Sequence, residues 1–122
     1  MPHRVALIGN NSYQLSLKAL LAERGGFDVV IIDEGNGYED GLKKTPSDIV
    51  IMDEDAVSNS WQICPIIRSE FRVPIIMVGH SESTLSWAKS AKYGVDFYAK
   101  RPIQPVELIA RIRALVRRYE QQ

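Results

Sequence analysis

Four apolar runs of this chain end in residues that can do chemistry. "VALI" (5–8) stops at Gly9-Asn10-Asn11, "DIVIM" (48–52) at Asp53-Glu54-Asp55, "VPIIMV" (73–78) at Gly79-His80, and "VDFYA" (95–99) at Lys100-Arg101-Pro102. A carboxylate and a cation on opposite lips of one crevice make a site for electrostatic work, and Asp53 and Arg101 are the candidates. No nucleophile–base pair can be assembled from these run ends, which argues against an independent enzyme. Cys64 has no base near it in sequence and reads as a half-buried helix residue. His80 lacks a second ligand at metal spacing, and "GNN" lacks the glycine spacing of a phosphate-binding loop.

The elements that must position these residues can be read from the pattern. With "DVVII" (28–32) there are five apolar runs, four of them continuous, as suits strands covered on both faces of a parallel sheet. Helix-length segments separate them. "YQLSLKALLAER" (13–24) puts Leu17, Leu20, Leu21 and Arg24 at helical spacing and stops at Gly25-Gly26. "TLSWAKSAKY" (84–93) groups Leu85, Ala88 and Ala91 on one side, behind Ser83 as N-cap. "PVELIARIRALVRRY" (105–119) opens on proline and turns Leu108, Ile109, Ile112, Leu115 and Val116 inward.

Two helices read less well. Gly35, Gly37 and Gly41 lie within 34–44, and each costs about 1 kcal/mol against alanine inside a helix, so a short, loose helix is expected there. Pro65 would break a helix begun near Ser60, so a helix starting at Pro65 is expected instead. The order is β-α five times. It predicts an α/β fold: a doubly wound, five-stranded parallel sheet in a three-layer, flavodoxin-like sandwich. Residues 1–119 form one domain and 120–122 a tail or the start of a linker. In such sheets ligands sit beyond the carboxyl ends of the strands, where the polar residues stand.

Composition narrows the class. The 122 residues suffice for one domain with its own core, and 45% apolar with 25% charged residues excludes a disordered chain. Fifteen basic and fifteen acidic residues cancel, so the domain as a whole has no electrostatic case for nucleic acid or membrane. A single cysteine excludes an internal disulfide and fits a reducing compartment. The apolar run after "MPHR" is too short for a signal peptide or spanning helix, so a cytoplasmic protein is expected.

The stretch "VPIIMVGH…AKYGVDFYAKRPIQPVELIARIRALVRR" resembles the second half of a CheY-like response-regulator receiver domain, in particular the OmpR/PhoB-type receivers. "SDIVIMDED" is similar to the strand that carries their phosphorylated aspartate, and the similarity covers essentially the whole chain. The resemblance implies the (βα)5 receiver fold. In that family the aspartate takes phosphate from a phosphohistidine, with charge neutralised by Mg²⁺ on the aspartate and on an acidic pair after the first strand. A lysine after the fifth strand and a hydroxyl after the fourth bind the phosphate. An aromatic in the fifth strand then swings inward and changes the face formed by the fourth helix, fifth strand and fifth helix.

Carried over residue by residue, the resemblance puts Asp53 at the phosphoacceptor position. The acidic pair falls on Gly9-Asn10 or Asn10-Asn11, and neither register supplies a carboxylate. Gly79 takes the hydroxyl position, Arg101 the lysine position with Lys100 on the alternate side of the strand, and Tyr98 that of the switch aromatic. Each missing carboxylate removes roughly 4 kcal/mol of attraction per unit charge at about 4 Å and an effective dielectric of about 20. Mg²⁺ is therefore expected to bind weakly or not at all, and no cofactor is expected. Arg101 is expected to grip Asp53 through two parallel hydrogen bonds. The asparagines also suit a helix cap, Glu54 and Asp55 suit solvent, and Tyr98 suits either core filling or a switch. Gly79 leaves a space that the Tyr98 ring can fill.

The resemblance further implies pairing of two copies through the fourth helix, fifth strand and fifth helix. Lys89, Asp96, Glu107 and Arg111 match its polar positions, and Trp87 is a candidate anchor. Arg113, Arg117 and Arg118 complement the dipole of the last helix. The expectation is an atypical receiver of a transcription-control protein that works without phosphorylation and regulates or dimerises an attached DNA-binding domain. DNA would be reached only through that domain, a histidine kinase is not required, and the ending "RRYEQQ" falls where a linker would begin. One alternative is a phosphorylation-competent receiver using Asp53, Asp55 and water around weakly held Mg²⁺. The other is a flavodoxin-like module sensing a small anion or nucleotide through Arg101, Lys100 and the asparagine amides.

Overall fold

The structure, a computed structural model, describes residues 2–33, 37–80 and 83–121, without the side chains of 83–86. Its elements are β1 (Arg4–Ile8), α1 (Ser12–Gly25), β2 (Asp28–Ile32), α2 (Tyr38–Lys44), β3 (Ile49–Asp53), α3 (Ser60–Glu70), β4 (Ile75–Gly79), α4 (Ser83–Tyr93), β5 (Phe97–Lys100) and α5 (Pro105–Glu120). The strands pair in parallel in the order β2-β1-β3-β4-β5. This is the doubly wound sheet that the pattern predicts. No helix among the described residues is long and apolar enough to cross a membrane.

Two apolar cores sandwich the sheet, and the two-residue period of a strand decides which core each side chain joins. Val5, Leu7, Ile49, Ile51, Ile76, Val78 and Ala99 pack with α1 and α5. Ala6, Ile8, Val50, Met52, Ile75 and Met77 pack on the other side with Tyr38, Leu42, Trp61, Cys64 and Ile67. Both faces are covered, which is why these strands read as continuous apolar runs. Helix α5 buries Leu108, Ile109, Ile112, Leu115 and Val116, the five positions its period selects.

Three helices depart from expectation. Helix α3 starts at Ser60 and runs through Pro65. Pro65 is exposed while Trp61, Cys64 and Ile67 are buried, so the missing hydrogen bond to the Trp61 carbonyl lies on the solvent side and core packing outweighs it. Cys64 is accordingly buried completely, not half-buried, and its thiol faces the Ser60 carbonyl at 3.4 Å. On α4, Ala88 and Ala91 are exposed and Ser90 is buried. The Val95 N–H bonds to the Ser90 carbonyl at 2.9 Å across Gly94 at φ +77°, which closes the end of the helix. Ser83 is already helical in α4 rather than its cap, and the Leu85 side chain lies outside the described residues. Helix α2 is short, as its glycines predict, while Glu34, Gly35 and Asn36 lie outside the described residues. At the carboxyl end, α5 runs to Glu120.

Two outcomes test this packing. Pro65→Ala supplies the missing donor and should raise stability by about 1–3 kcal/mol in urea denaturation; an unchanged midpoint would argue against a helix passing through residue 65. Burial pushes the Cys64 thiol from 9.0 up to about 12. The unfolded chain therefore loses this proton first. The thiol's contribution is full below pH 9.0 and is lost as pH rises toward about 12. The stability difference between wild type and Cys64→Ala should shrink across that window, and a difference that stays flat would refute the shift.

Candidate functional site

Strand parity divides the carboxyl edge of the sheet into two sites. Asp53 continues the Ile49–Ile51 parity toward α1 and α5, and Arg101 continues that of Phe97 and Ala99 toward the same side. Arg101 Nη2 lies 2.6 Å from Asp53 Oδ1, with the two side chains 12% and 0% exposed. Nη2 is not aligned as a hydrogen bond, so the contact is Coulombic. The parallel two-bond grip is not formed, because Nη1 turns to Asp55 Oδ2 at 3.1 Å. His80 Nε2 stands 2.9 Å from Nη1 and 3.2 Å from Asp55 Oδ2, so Asp55 is paired rather than simply solvated. Tyr13 lies under the guanidinium, 4.3 Å from ring centroid to Cζ, and fixes its plane. Burial raises the pKa of the Tyr13 hydroxyl, against a lowering by Arg101 and with a further rise from Asp53.

The remaining valences of Asp53 are met locally. Oδ1 accepts from the backbone N–H groups of Asp55 and Ala56 at 2.8 and 3.1 Å, and Oδ2 accepts from Asn11 Nδ2 at 3.2 Å. Asn11 also caps α1, its Oδ1 accepting from Gln14 N–H at 2.9 Å. One residue thus serves as cap and pocket lining together. Asn10 is exposed, and Asn11 is the asparagine whose amide reaches Asp53. Gly9, at φ +111°, lets the loop close over Asp53, since a Cβ there would meet Ala56 Cβ at 2.9 Å. A hard divalent ion needs charged oxygens in an octahedral array. Here both Asp53 oxygens are engaged, the Asn11 oxygen faces Gln14, and the Arg101 guanidinium lies against the carboxylate. The described residues contain no group of three His, Cys, Asp or Glu able to hold a metal.

Glu54 has the opposite parity and turns toward α3 and β5, not to solvent. Its Oε2 accepts from Trp61 Nε1 at 2.6 Å and its Oε1 from the Tyr98 hydroxyl at 2.9 Å. Trp61 and Tyr98 stack with centroids 5.9 Å apart and planes 9° apart. A Cβ on Gly79 would lie 2.2 Å from Glu54 Oε1 and 2.5 Å from the Tyr98 oxygen. Sequence reasoning missed Glu54 and Tyr13; parity along β3 was the available signal for Glu54. Lys100 is exposed, on the alternate side from Arg101.

On the α4–β5–α5 face Trp87 is 81% exposed and Glu107 is exposed. The face's other charges have partners within the chain. Asp96 pairs with Arg68 at 2.7 Å and accepts from the Tyr119 hydroxyl. Arg111 lies over Phe97, 4.5 Å from its ring centroid, and Lys89 Nζ over Trp61 at 5.6 Å.

The fold has counterparts among known proteins. The chain is 26% identical over 121 residues to the DNA-binding response regulator MtrA of Mycolicibacterium smegmatis, covering 98% of this chain and 53% of that protein. It is 32% identical over 101 residues to the sensory transduction protein RegX3 of the same organism, covering 82% of this chain and 44% of that protein. The BeF3-activated N-terminal receiver domain of Klebsiella pneumoniae RstA superposes with a TM-score of 0.81 at 21% identity, over 93% of this chain and 98% of that one. A CheY-like receiver domain protein from Methanospirillum hungatei gives 0.80 at 17% identity, over 99% and 98%. The chain has the CheY-like receiver fold and is similar along nearly its whole length to response regulators. No family model matches it. The receiver spans about half the length of the relatives whose sequences it matches.

The receiver's buried ion pair makes a sharp prediction. Arg101→Ala strands the Asp53 charge and should cost about 3–5 kcal/mol in stability. Asp53→Asn in the same chain should return most of that loss, giving a clear coupling in a double-mutant cycle. Losses that simply add would mean that the two residues do not act as a unit.

Proposed function

We propose that this receiver is a regulatory module whose surface state does not depend on phosphorylation of Asp53, and that it controls or dimerises an attached DNA-binding domain. One observation carries the reading: the Arg101 guanidinium lies 2.6 Å from a fully buried Asp53. In-line attack on a phosphodonor needs a free carboxylate oxygen and a cation to cancel the equatorial charge. Asp53 Oδ1 is held by Arg101 and two backbone N–H groups, and Oδ2 by Asn11. An uncharged amide at the first strand end leaves Mg²⁺ with one carboxylate that is already neutralised, so binding of the metal is weak on this reading.

The DNA-binding partner domain is inferred from the relatives named as DNA-binding response regulators, whose remaining length lies outside this chain. Pairing of two copies is supported by the exposure of Trp87 on α4 and of Glu107 and Arg111 on α5, although Asp96 is committed to Arg68 within the chain. A cytoplasmic site of action belongs to the same reading.

The test is intact mass after incubation with Mg²⁺ and a small-molecule phosphodonor, with Asp53→Ala alongside and light scattering on each sample. No added phosphate, with the same dimer before and after treatment, is the expected result. Phosphate on wild type and not on Asp53→Ala would restore an ordinary phospho-switch.

A further inference from the structure

The second site at the sheet edge uses none of the Asp53 machinery. Glu54 leaves β3 on the α3–α4 side, its backbone N–H still bonded to the Val78 carbonyl at 2.9 Å, so its side chain starts from a fixed point. From there one carboxylate receives two donors, the Trp61 indole N–H at 2.6 Å and the Tyr98 hydroxyl at 2.9 Å. Hydrogen bonds to an ionised acceptor are about twice as strong as neutral ones, and these two pull the aromatic rings into one stack. Lys89 Nζ, 5.6 Å from the Trp61 ring centroid, adds positive charge on the outer side of that ring.

Gly79 makes the arrangement possible. The volume that any side chain at residue 79 would take is filled by Glu54 Oε1 and the Tyr98 oxygen, at 2.2 and 2.5 Å from the Cβ position. Glycine here is thus tied to the inward tyrosine sterically, whereas its backbone conformation needs no glycine. Tyr98 in turn lines the groove between α4 and β5, together with Trp87, Ser90 and Phe97.

We propose that Glu54 is an internal latch: its carboxylate holds Tyr98 inward, in the space that Gly79 vacates, and so fixes the α4–β5 surface without any phosphate. The inference rests on reading that surface as phosphorylation-independent and names the residue that makes it so. Glu54 is a positioning residue, and it acts through Tyr98 and Trp61.

The test uses the full chain with Trp87→Phe, which leaves Trp61 as the one tryptophan of the two in the sequence. The tyrosines are labelled as 3-fluorotyrosine, and the Tyr98 resonance is assigned with Tyr98→Phe. Glu54→Ala should move the Tyr98 fluorine resonance toward its solvent-exposed position and raise acrylamide quenching of Trp61 at least about twofold. Glu54→Gln keeps an acceptor oxygen for the hydroxyl and should hold the Tyr98 resonance near its parent position. Gly79→Ser should displace Tyr98 with Glu54 intact, and it provides a second route should Glu54→Ala unfold by circular dichroism. A Tyr98 resonance and Trp61 quenching unchanged in both Glu54→Ala and Gly79→Ser would overturn the latch. Intact mass of the same samples after phosphodonor treatment separates the two ideas. Phosphate on the parent would overturn the phosphorylation-independent reading, while a displaced Tyr98 in the variants would still support the latch.

Discussion

Asp53 is a carboxylate without contact with water at the end of the central strand, and the carboxyl edge of the sheet is organised by the need to answer its charge. An isolated charge in such a place is costly beyond what a small domain can tolerate. Four groups answer it: a guanidinium, two backbone N–H groups and one amide N–H. Each comes from a different constraint. The loop supplies its N–H groups because it turns sharply over Gly9. Asn11 can donate because its oxygen is already spent on the helix cap. Arg101 arrives because β5 ends on the required parity. Its own Nε finds no hydrogen-bond partner, a cost partly offset by stacking on Tyr13.

The same parity explains why two adjacent carboxylates do not repel each other across one pocket. Asp53 and Glu54 leave β3 on opposite faces of the sheet, and a layer of backbone separates the sites they build. Asp53 is met by a cation, and breaking that ion pair from one side leaves a buried charge. Glu54 accepts from the Trp61 indole and the Tyr98 hydroxyl, on the side of the stacked rings. A sheet with one solvated face could not keep both carboxylates so enclosed.

Much of this was readable in the sequence, for a physical reason. Strands covered on both faces write themselves as continuous apolar runs, and α5 writes its buried stripe at a strict helical period, so the fold and the strand-end residues followed from pattern. The failures share another cause. Pro65 is decided by packing of Trp61, Cys64 and Ile67, which local propensity cannot see. Helix α4 carries few large apolar residues, so its period gives only a weak choice of buried face, and Ser90 is the residue enclosed. The choice between Asn10 and Asn11 turns on which one caps α1, a matter of a single residue's register. Glu54 was assigned to solvent by its charge, although the alternation that turns Lys100 from Arg101 also turns Glu54 from Asp53.

A switch needs a ligand that binds two states unequally, because an equilibrium moves only by that differential affinity. A phosphate is such a ligand because it comes and goes. The Arg101 guanidinium and the Glu54 carboxylate are covalent parts of the chain and always present, so the free energy they contribute biases one arrangement at all times. On the proposed reading, regulation must then enter through quantities that the pocket does not control. The concentration of the protein is one, since pairing of two copies follows mass action. Occupancy of the α4–β5 groove by another molecule is the other, and Trp87 at 81% exposure is the large apolar side chain set beside that groove. On that reading the domain trades a chemical input for a fixed surface, and its output is set by how much of it is present and what it meets.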